Sequence, residues 1–307
     1  MTYSIVARDP GTGALGVGVQ SHYFDVGPVV PWAEAGVGAV ATQSVVEVGY
    51  GPRGLALMRE GVAAPDALAQ LVGADELEFV RQVAMVDAEG AVGVHTGAAC
   101  VGAAGHAVGD GVSVQANMMV RETVWDAMLA AYAATEGDLA ARILAALDAA
   151  QAEGGDARGQ QSAALLVVDG ERSDTPWSHV LFDLRVDDDP EPLVELRRLV
   201  DYARAFRLVT GVFESGLLFA PVIDESMKAA LEDALADLDA AQAVVGDNRE
   251  PTFWQGVLLA KAGRVEEARA RIRHARETNA EWRSFLRRLP ASGLLPDDEA
   301  LVGRLVD

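Results

Sequence analysis

The chain has 307 residues, half of them hydrophobic, which is length for two domains and ample apolar material for a packed core, so disorder as the main state is excluded. A net charge of −21 argues against partners that present a phosphate backbone or an anionic membrane surface. The charge is uneven: residues 1–193 carry 27 acidic and 9 basic side chains and no lysine, whereas residues 194–307 carry 19 and 16.

No run approaches the ~18 apolar residues of a membrane span. The first ten residues lack the basic start and long apolar stretch of a secretory signal, so the expected compartment is the cytoplasm. Cys100 is the single cysteine, which leaves no intrachain disulfide and no Cys-rich metal site.

Thr2–Ala7 reads as a strand, Asp9–Gly13 as dense turn chemistry, and Leu15–Gln20 as the returning strand of a hairpin. Gly16 and Gly18 alternate with Val17 and Val19, so one face of that strand is bare, as where a backbone or ligand comes close. Val37–Gln43 is a third strand. Arg53–Glu60 and Ala64–Val72 have helical apolar spacing, and Val83–Asp87 with Ala91–Thr96 forms a second hairpin. Val112–Ala116 is a short strand. Helices near Glu122–Ala134 and Asp138–Ala152 follow, then strands Ser162–Val168 and Trp177–Val186. Strands and helices come in groups, which points to an α+β fold of antiparallel sheets with helices packed outside.

The acidic, proline-containing segment Asp187–Pro192 marks a boundary, giving domains 1–190 and 193–307. The second is helical: Leu193–Phe206, Glu225–Val244, and the pair Pro251–Ala262 and Arg264–Thr278 split by Gly263. That pair resembles one tetratricopeptide-type hairpin, but with no tandem array beside it a plain helical bundle is the preferred reading over a true repeat. Residues after Pro192 are expected to be almost wholly helical, Leu208–Phe213 included, although its β-branched residues favour strands.

Several familiar chemistries are missing. The Asp9–Gly13 turn lacks the Gly-Lys-Ser/Thr ending of a phosphate loop, and there is no Gly-x-Ser-x-Gly elbow. The five histidines show no metal-ligand spacing. The expectation is therefore no cofactor and no metal. Cys100, among small residues, fits a buried thiol better than a nucleophile. What remains is Thr2. Removal of Met1 would give a threonine with a free α-amino group, whose ordinary pKa of ~8 suits it to take the proton of its own hydroxyl. Side chains at strand ends are its candidate companions. Gln43 and Asn117 have amides that could serve an oxyanion, and Ser21, His22, Arg158 and Gln161 also lie at strand ends. For Gln43 and Asn117 a turn- or loop-holding role is the alternative, and for Arg158 a surface ion pair.

The blocks Ser4–Pro10, Gly36–Gln43, Tyr50–Leu55, His95–Cys100, Ser113–Met118 and Arg158–Ala164 resemble, in matching order over most of residues 1–190, the family called domain of unknown function 1028. That resemblance implies the fold of the N-terminal-nucleophile hydrolases, a four-layer α-β-β-α sandwich. Thr2 is then expected as nucleophile with Gln43 and Asn117 beside it, and Ser21, His22, Arg53, His95, Arg158 and Gln161 as substrate-binding residues. The lysine that some members of that superfamily place beside the nucleophile has no counterpart in residues 1–193. The C-terminal region is similar to a small module associated with peptidoglycan binding. The resulting expectation is an amide or peptide-bond hydrolase acting on a small or peptide-like substrate, peptidoglycan fragments included, with no nucleic acid and no membrane as partner. Two alternatives stand beside it: a non-catalytic binding protein on a degenerate version of the fold, and a scaffold whose helical part drives homo-oligomer formation.

Overall fold

A computed structural model describes residues 2–306. Its first unit holds two antiparallel sheets. The larger is ordered β10-β9-β2-β1-β8-β7, from β1 (Thr2–Arg8), β2 (Leu15–Ser21), β7 (Gly105–Gly109), β8 (Val112–Asn117), β9 (Ser162–Val168) and β10 (Val180–Val186). The smaller is β3-β4-β5-β6, from β3 (Pro31–Glu34), β4 (Gly38–Ser44), β5 (Arg81–Asp87) and β6 (Val92–Thr96). Helices α1 (Tyr50–Arg59) and α2 (Ala64–Gly73) pack on the smaller sheet; α3 (Val124–Ala134) and α4 (Leu139–Ala152) pack on the larger.

Period-two patterning assigns the faces. Val6, Val17 and Val19 of the large sheet meet Ala39, Ala41, Ala84 and Val86 of the small one in a shared core. The alternate residues Val40, Val83 and Met85 face α1 and α2. On β2 the bare glycine face receives α4: a Cβ on Gly18 would lie 2.3 Å from Ile143 Cγ2, and one on Gly16 2.8 Å from Ile143 Cδ1. The close approach read from these glycines is thus to a helix. Gly18→Ala is expected to cost about 1–3 kcal/mol by overpacking, measured by urea unfolding, and clearly less in an Ile143→Ala background. Equal costs in both backgrounds would contradict this role for the glycine.

The second unit begins after Val200, inside α5 (Pro192–Glu214), several residues beyond the Asp187–Pro192 segment. It is helical: α6 (Lys228–Val245), α7 (Glu250–Lys261), α8 (Val265–Thr278), α9 (Trp282–Leu286) and α10 (Glu299–Val306). The β-branched stretch after Leu208 is helical, because Val209 and Val212 contribute to this unit's core. A Cβ on Gly256 of α7 would sit 2.6 Å from Ile272 Cδ1 of α8, so a small residue lets this hairpin close, and Gly263 makes its turn at φ +75°. Four elements were not foreseen: β3, β7, α9 and α10. The strand expected from Trp177 starts at Val180, since Pro176–His179 forms a 3-10 turn.

Candidate active site

Register builds the site. In the large sheet, Thr2 sits opposite Ser21 on one side and Asn117 on the other, and Ser21 sits opposite Ser162. In the small sheet, Gln43 pairs with Gln82 and Gln82 with Thr96. Two rows of polar side chains therefore face each other at one end of the sandwich, continued inward by Ser4 and Gln115 before the shared core becomes mainly aliphatic.

The Thr2 and Ser21 hydroxyls are 3.0 Å apart. Gln43 Nε2 donates to the Thr2 main-chain oxygen at 3.2 Å, to Gln82 Oε1 at 2.7 Å and to the Gln115 carbonyl at 3.4 Å. Asn117 Nδ2 donates to Gln82 Oε1 at 2.9 Å and approaches the Thr2 oxygen at 3.5 Å. Gln82 is the hub. Its own Nε2 donates to Ala116 O at 2.9 Å, Thr96 Oγ1 at 3.0 Å and Gly105 O at 3.1 Å. These carbonyl acceptors fix which way each amide points. The acceptors Gln43 Oε1, Gln115 Oε1 and Asn117 Oδ1 are buried with no partner among the described residues.

Beside this cluster Thr2, Ser21, Gln43 and Ser44 form the polar part of a cavity of about 60 Å³, walled by Tyr23, Val26, Val29, Val30 and Val46. The walls come from two loops, 22–30 and 45–49. Ser162 ties down the first, donating to Tyr23 O and accepting from Val26 N at 3.2 Å. Arg81, which is buried, ties down the second, donating to Val45 O at 2.7 Å. Non-glycine residues at left-handed φ mark both, Asp25 at +55° and Ser44 at +71°.

Arg81 in turn is held by Asp75, Nε to Oδ2 at 2.9 Å, and the Tyr50 hydroxyl donates to the same oxygen at 3.1 Å. Burial, then Asp75, pushes the Tyr50 phenol up to about 12, which keeps it a donor. Burial opposes ionisation of Asp75, yet the Arg81 guanidinium, the Leu77 N–H and the Tyr50 hydroxyl outweigh it and hold its carboxyl below the usual range. Because the folded pKa is the lower one, this pair stabilises the fold above the ordinary Asp pKa of ~4 and is lost as pH falls through the lowered value. Asp75→Asn is expected to cost roughly 2–3 kcal/mol at neutral pH, less than a fully buried pair because Asp75 keeps a solvent-facing edge, and to flatten the acid limb of stability against pH. An unchanged acid limb in urea unfolding would contradict that.

The other expected substrate-binding residues lie elsewhere. His22 packs its ring against the Gln160 carbonyl at 3.3 Å, and its N–H donates to the buried Asp156 carboxylate. Arg158 closes onto the same carboxylate at 3.2 Å. Gln161 reaches out to Asp188 at 3.1 Å. His95 is engaged by the Glu78 carbonyl at 2.8 Å and carboxylate at 3.1 Å, and Arg53 lines a separate surface cleft with Ala56 and Gln70. Each is claimed by a local partner or another surface, so none lines the Thr2 cavity. Gln43 and Asn117 are at the site, but their amide nitrogens face the carbonyl of Thr2 instead of the space above its hydroxyl. Sequence reasoning missed Gln82, whose signal was a lone amide at the start of an apolar strand, and likewise Ser162 and Arg81. Among the described residues no group of three or more His, Cys, Asp or Glu side chains is placed to hold a metal ion. No described helix is long and apolar enough to cross a membrane.

Residues 2–196 match the model of a family of unknown function, DUF1028. The chain belongs to this family. The DUF1028 chain is also similar in structure to protein SPO2555 from Silicibacter pomeroyi, described by its crystal structure as carrying the same family model. The two are 29% identical with a TM-score of 0.59, over 66% of this chain and 88% of that one. No curated protein matches this chain.

Proposed function

We propose that this DUF1028 chain is an amide hydrolase of the N-terminal-nucleophile type, its first unit a four-layer α-β-β-α sandwich and its nucleophile the hydroxyl of Thr2. The observation that carries the reading is the placement of Thr2. It begins the strand that β2 and β8 flank, it lines a cavity together with Ser21, to whose hydroxyl its own is bonded, and its carbonyl accepts from Gln43 with Asn117 close by. A threonine with only a structural role needs no such cavity.

Among the described residues, the cavity lining offers no carboxylate, imidazole or side-chain amine to act as a base. The base assigned here is the α-amino group of Thr2, which requires that the mature chain start at Thr2; Met1 lies outside the described residues. The amine takes the hydroxyl proton as Oγ1 attacks the scissile carbonyl, then passes it to the departing amine as the C–N bond breaks. An ester on Thr2 remains, and water cleaves it with the same group as base. Ser21 orients the Thr2 hydroxyl. Gln43 and Asn117 hold the Thr2 main chain, and the unpartnered Gln43 Oε1 supplies an acceptor for a substrate N–H.

For the helical unit we assign capture of a peptide or glycan fragment, peptidoglycan-derived pieces being the class to test. Trp282 stacks on Phe253 at 4.4 Å between centroids and lines a cleft of about 490 Å³ with Asp247, Asn248 and Arg249. Trp254, by contrast, is buried in the core. Titration of soluble muropeptides should show saturable binding that Trp282→Ala weakens; no binding would remove this assignment.

The hydrolase reading is tested by treating the chain with an amine-blind acylating electrophile and mapping the adduct by mass spectrometry. An ester on the Thr2 hydroxyl is expected. Acylation elsewhere, with Thr2 unmodified, would favour a protein that only binds.

A further inference from the structure

Resting on Thr2 as nucleophile, we infer that the cavity beside it is an acyl pocket that admits a short, uncharged aliphatic group and rejects longer or charged ones. Size is the first argument. The cavity holds about 60 Å³, less than half of the ~150 Å³ of a site that takes the six carbons of benzene. It therefore has room for two or three heavy atoms, the size of a propionyl or butyryl tail beyond its carbonyl carbon.

Chemistry is the second. The walls are four valines and the ring of Tyr23, and the polar members, Ser21, Gln43 and Ser44, are neutral. A carboxylate or ammonium on the acyl group would lose its hydration there without meeting an opposite charge. The two wall-bearing loops add Phe24, Val45 and Val48, each more than a third exposed, so the surroundings are apolar too. Their formal charges, Asp25 and Glu47, are both negative, which further disfavours an anionic acyl chain.

Stiffness is the third. Val26 and Val30 are buried in the shared core, the 22–30 loop is tied by Ser162, and the 45–49 loop is tied by Arg81. A pocket built this way does not widen without loss of packing, so chain length is read sterically.

The test uses 4-nitrophenyl esters of acetate, propionate, butyrate, hexanoate and succinate on the full chain starting at Thr2. Release of nitrophenolate is followed, and the ester on Thr2 is quantified by mass. The acylation rate should peak at propionyl or butyryl and fall at least ~10-fold for hexanoyl and for succinyl, the scale on which a pocket rejects an extra methylene or an unpaired charge. Val29→Ala and Val46→Ala, which remove wall atoms, should each raise the hexanoyl-to-propionyl ratio about 10-fold or more. Thr2 acylated without preference for short chains, or a ratio unmoved by both substitutions, would overturn the acyl pocket and leave Thr2 as nucleophile. No ester on Thr2 with any member of the series would overturn the nucleophile reading and the pocket with it.

Discussion

Thr2→Ala is expected to lower turnover by ~10⁴-fold or more, because it deletes the atom that forms the bond to substrate, while the fold loses the hydrogen bond to Ser21 and one buried methyl group. That hydrogen bond contributes about 1 kcal/mol. Thr2→Ser keeps a hydroxyl on the same atom of the chain and should retain measurable turnover. It removes only a methyl group, and with it some of the stiffness that fixes χ1. The kinetic contrast between these two variants, on preparations whose melting temperatures agree within a few degrees, separates a nucleophile from a packing residue. Comparable loss in both would place the importance of Thr2 in its shape, not its oxygen.

The second large effect is on stability. Gln82 is fully buried and satisfies five groups from both sheets: the amides of Gln43 and Asn117, the Thr96 hydroxyl, and the carbonyls of Gly105 and Ala116. Gln82→Leu keeps most of the volume but takes a hydrogen-bond partner from each of these groups, of which Gln43 Nε2, Asn117 Nδ2 and Thr96 Oγ1 keep another within reach. Each stranded group costs roughly 1–3 kcal/mol, and relaxation spares some of them, so a net loss of about 3–5 kcal/mol is expected. Urea unfolding measures it. The grip on the Thr2 carbonyl should loosen as well, since Gln82 Oε1 orients both amides that hold it. A loss below about 1 kcal/mol would mean that the amide cluster is not what joins the sheets at this end.

How much of this was legible depended on the kind of signal. Strands β1, β2 and β9 announce themselves through alternation and flanking turn residues, and their bounds fall within a residue or so of the expectation. β3 has four residues and opens with Pro31, and β7 is bracketed by Gly105 and Gly109. Both are edge strands whose backbone pairing, not side-chain pattern, makes them strands. At the site, Thr2, Ser21, Gln43 and Asn117 could be picked as strand-end polar residues, because a strand that stops at a sheet's rim delivers its last side chain there. What the rule could not say was which rim. Arg158 and Gln161 also flank a strand, but Asp156 and Asp188 take them. Gln82 and Ser162 became visible only through register. The pairing Thr2–Ser21–Ser162 in one sheet and Gln43–Gln82 in the other is a property of the assembled sandwich, and no single segment carries it.

The helical unit shows the same division. Gly256 and Gly263 signalled the α7–α8 hairpin because a close crossing and a left-handed turn both require glycine. The helical course of α5 beyond Leu208 agrees with the expectation of a wholly helical second part, against the strand preference of its β-branched residues, because Val209 and Val212 are buried in a core assembled from distant segments.

Whether the amine of Thr2 activates its own hydroxyl is read from a comparison of two forms of one preparation. The chain is made with a protease site placed so that cleavage exposes Thr2 as the first residue. The acylation rate with 4-nitrophenyl butyrate is then read before and after cleavage. The uncleaved form, whose Thr2 nitrogen is an amide and not a base, should leave Thr2 unmodified, and cleavage should switch acylation on. Equal acylation of Thr2 in both forms would contradict that role of the amine.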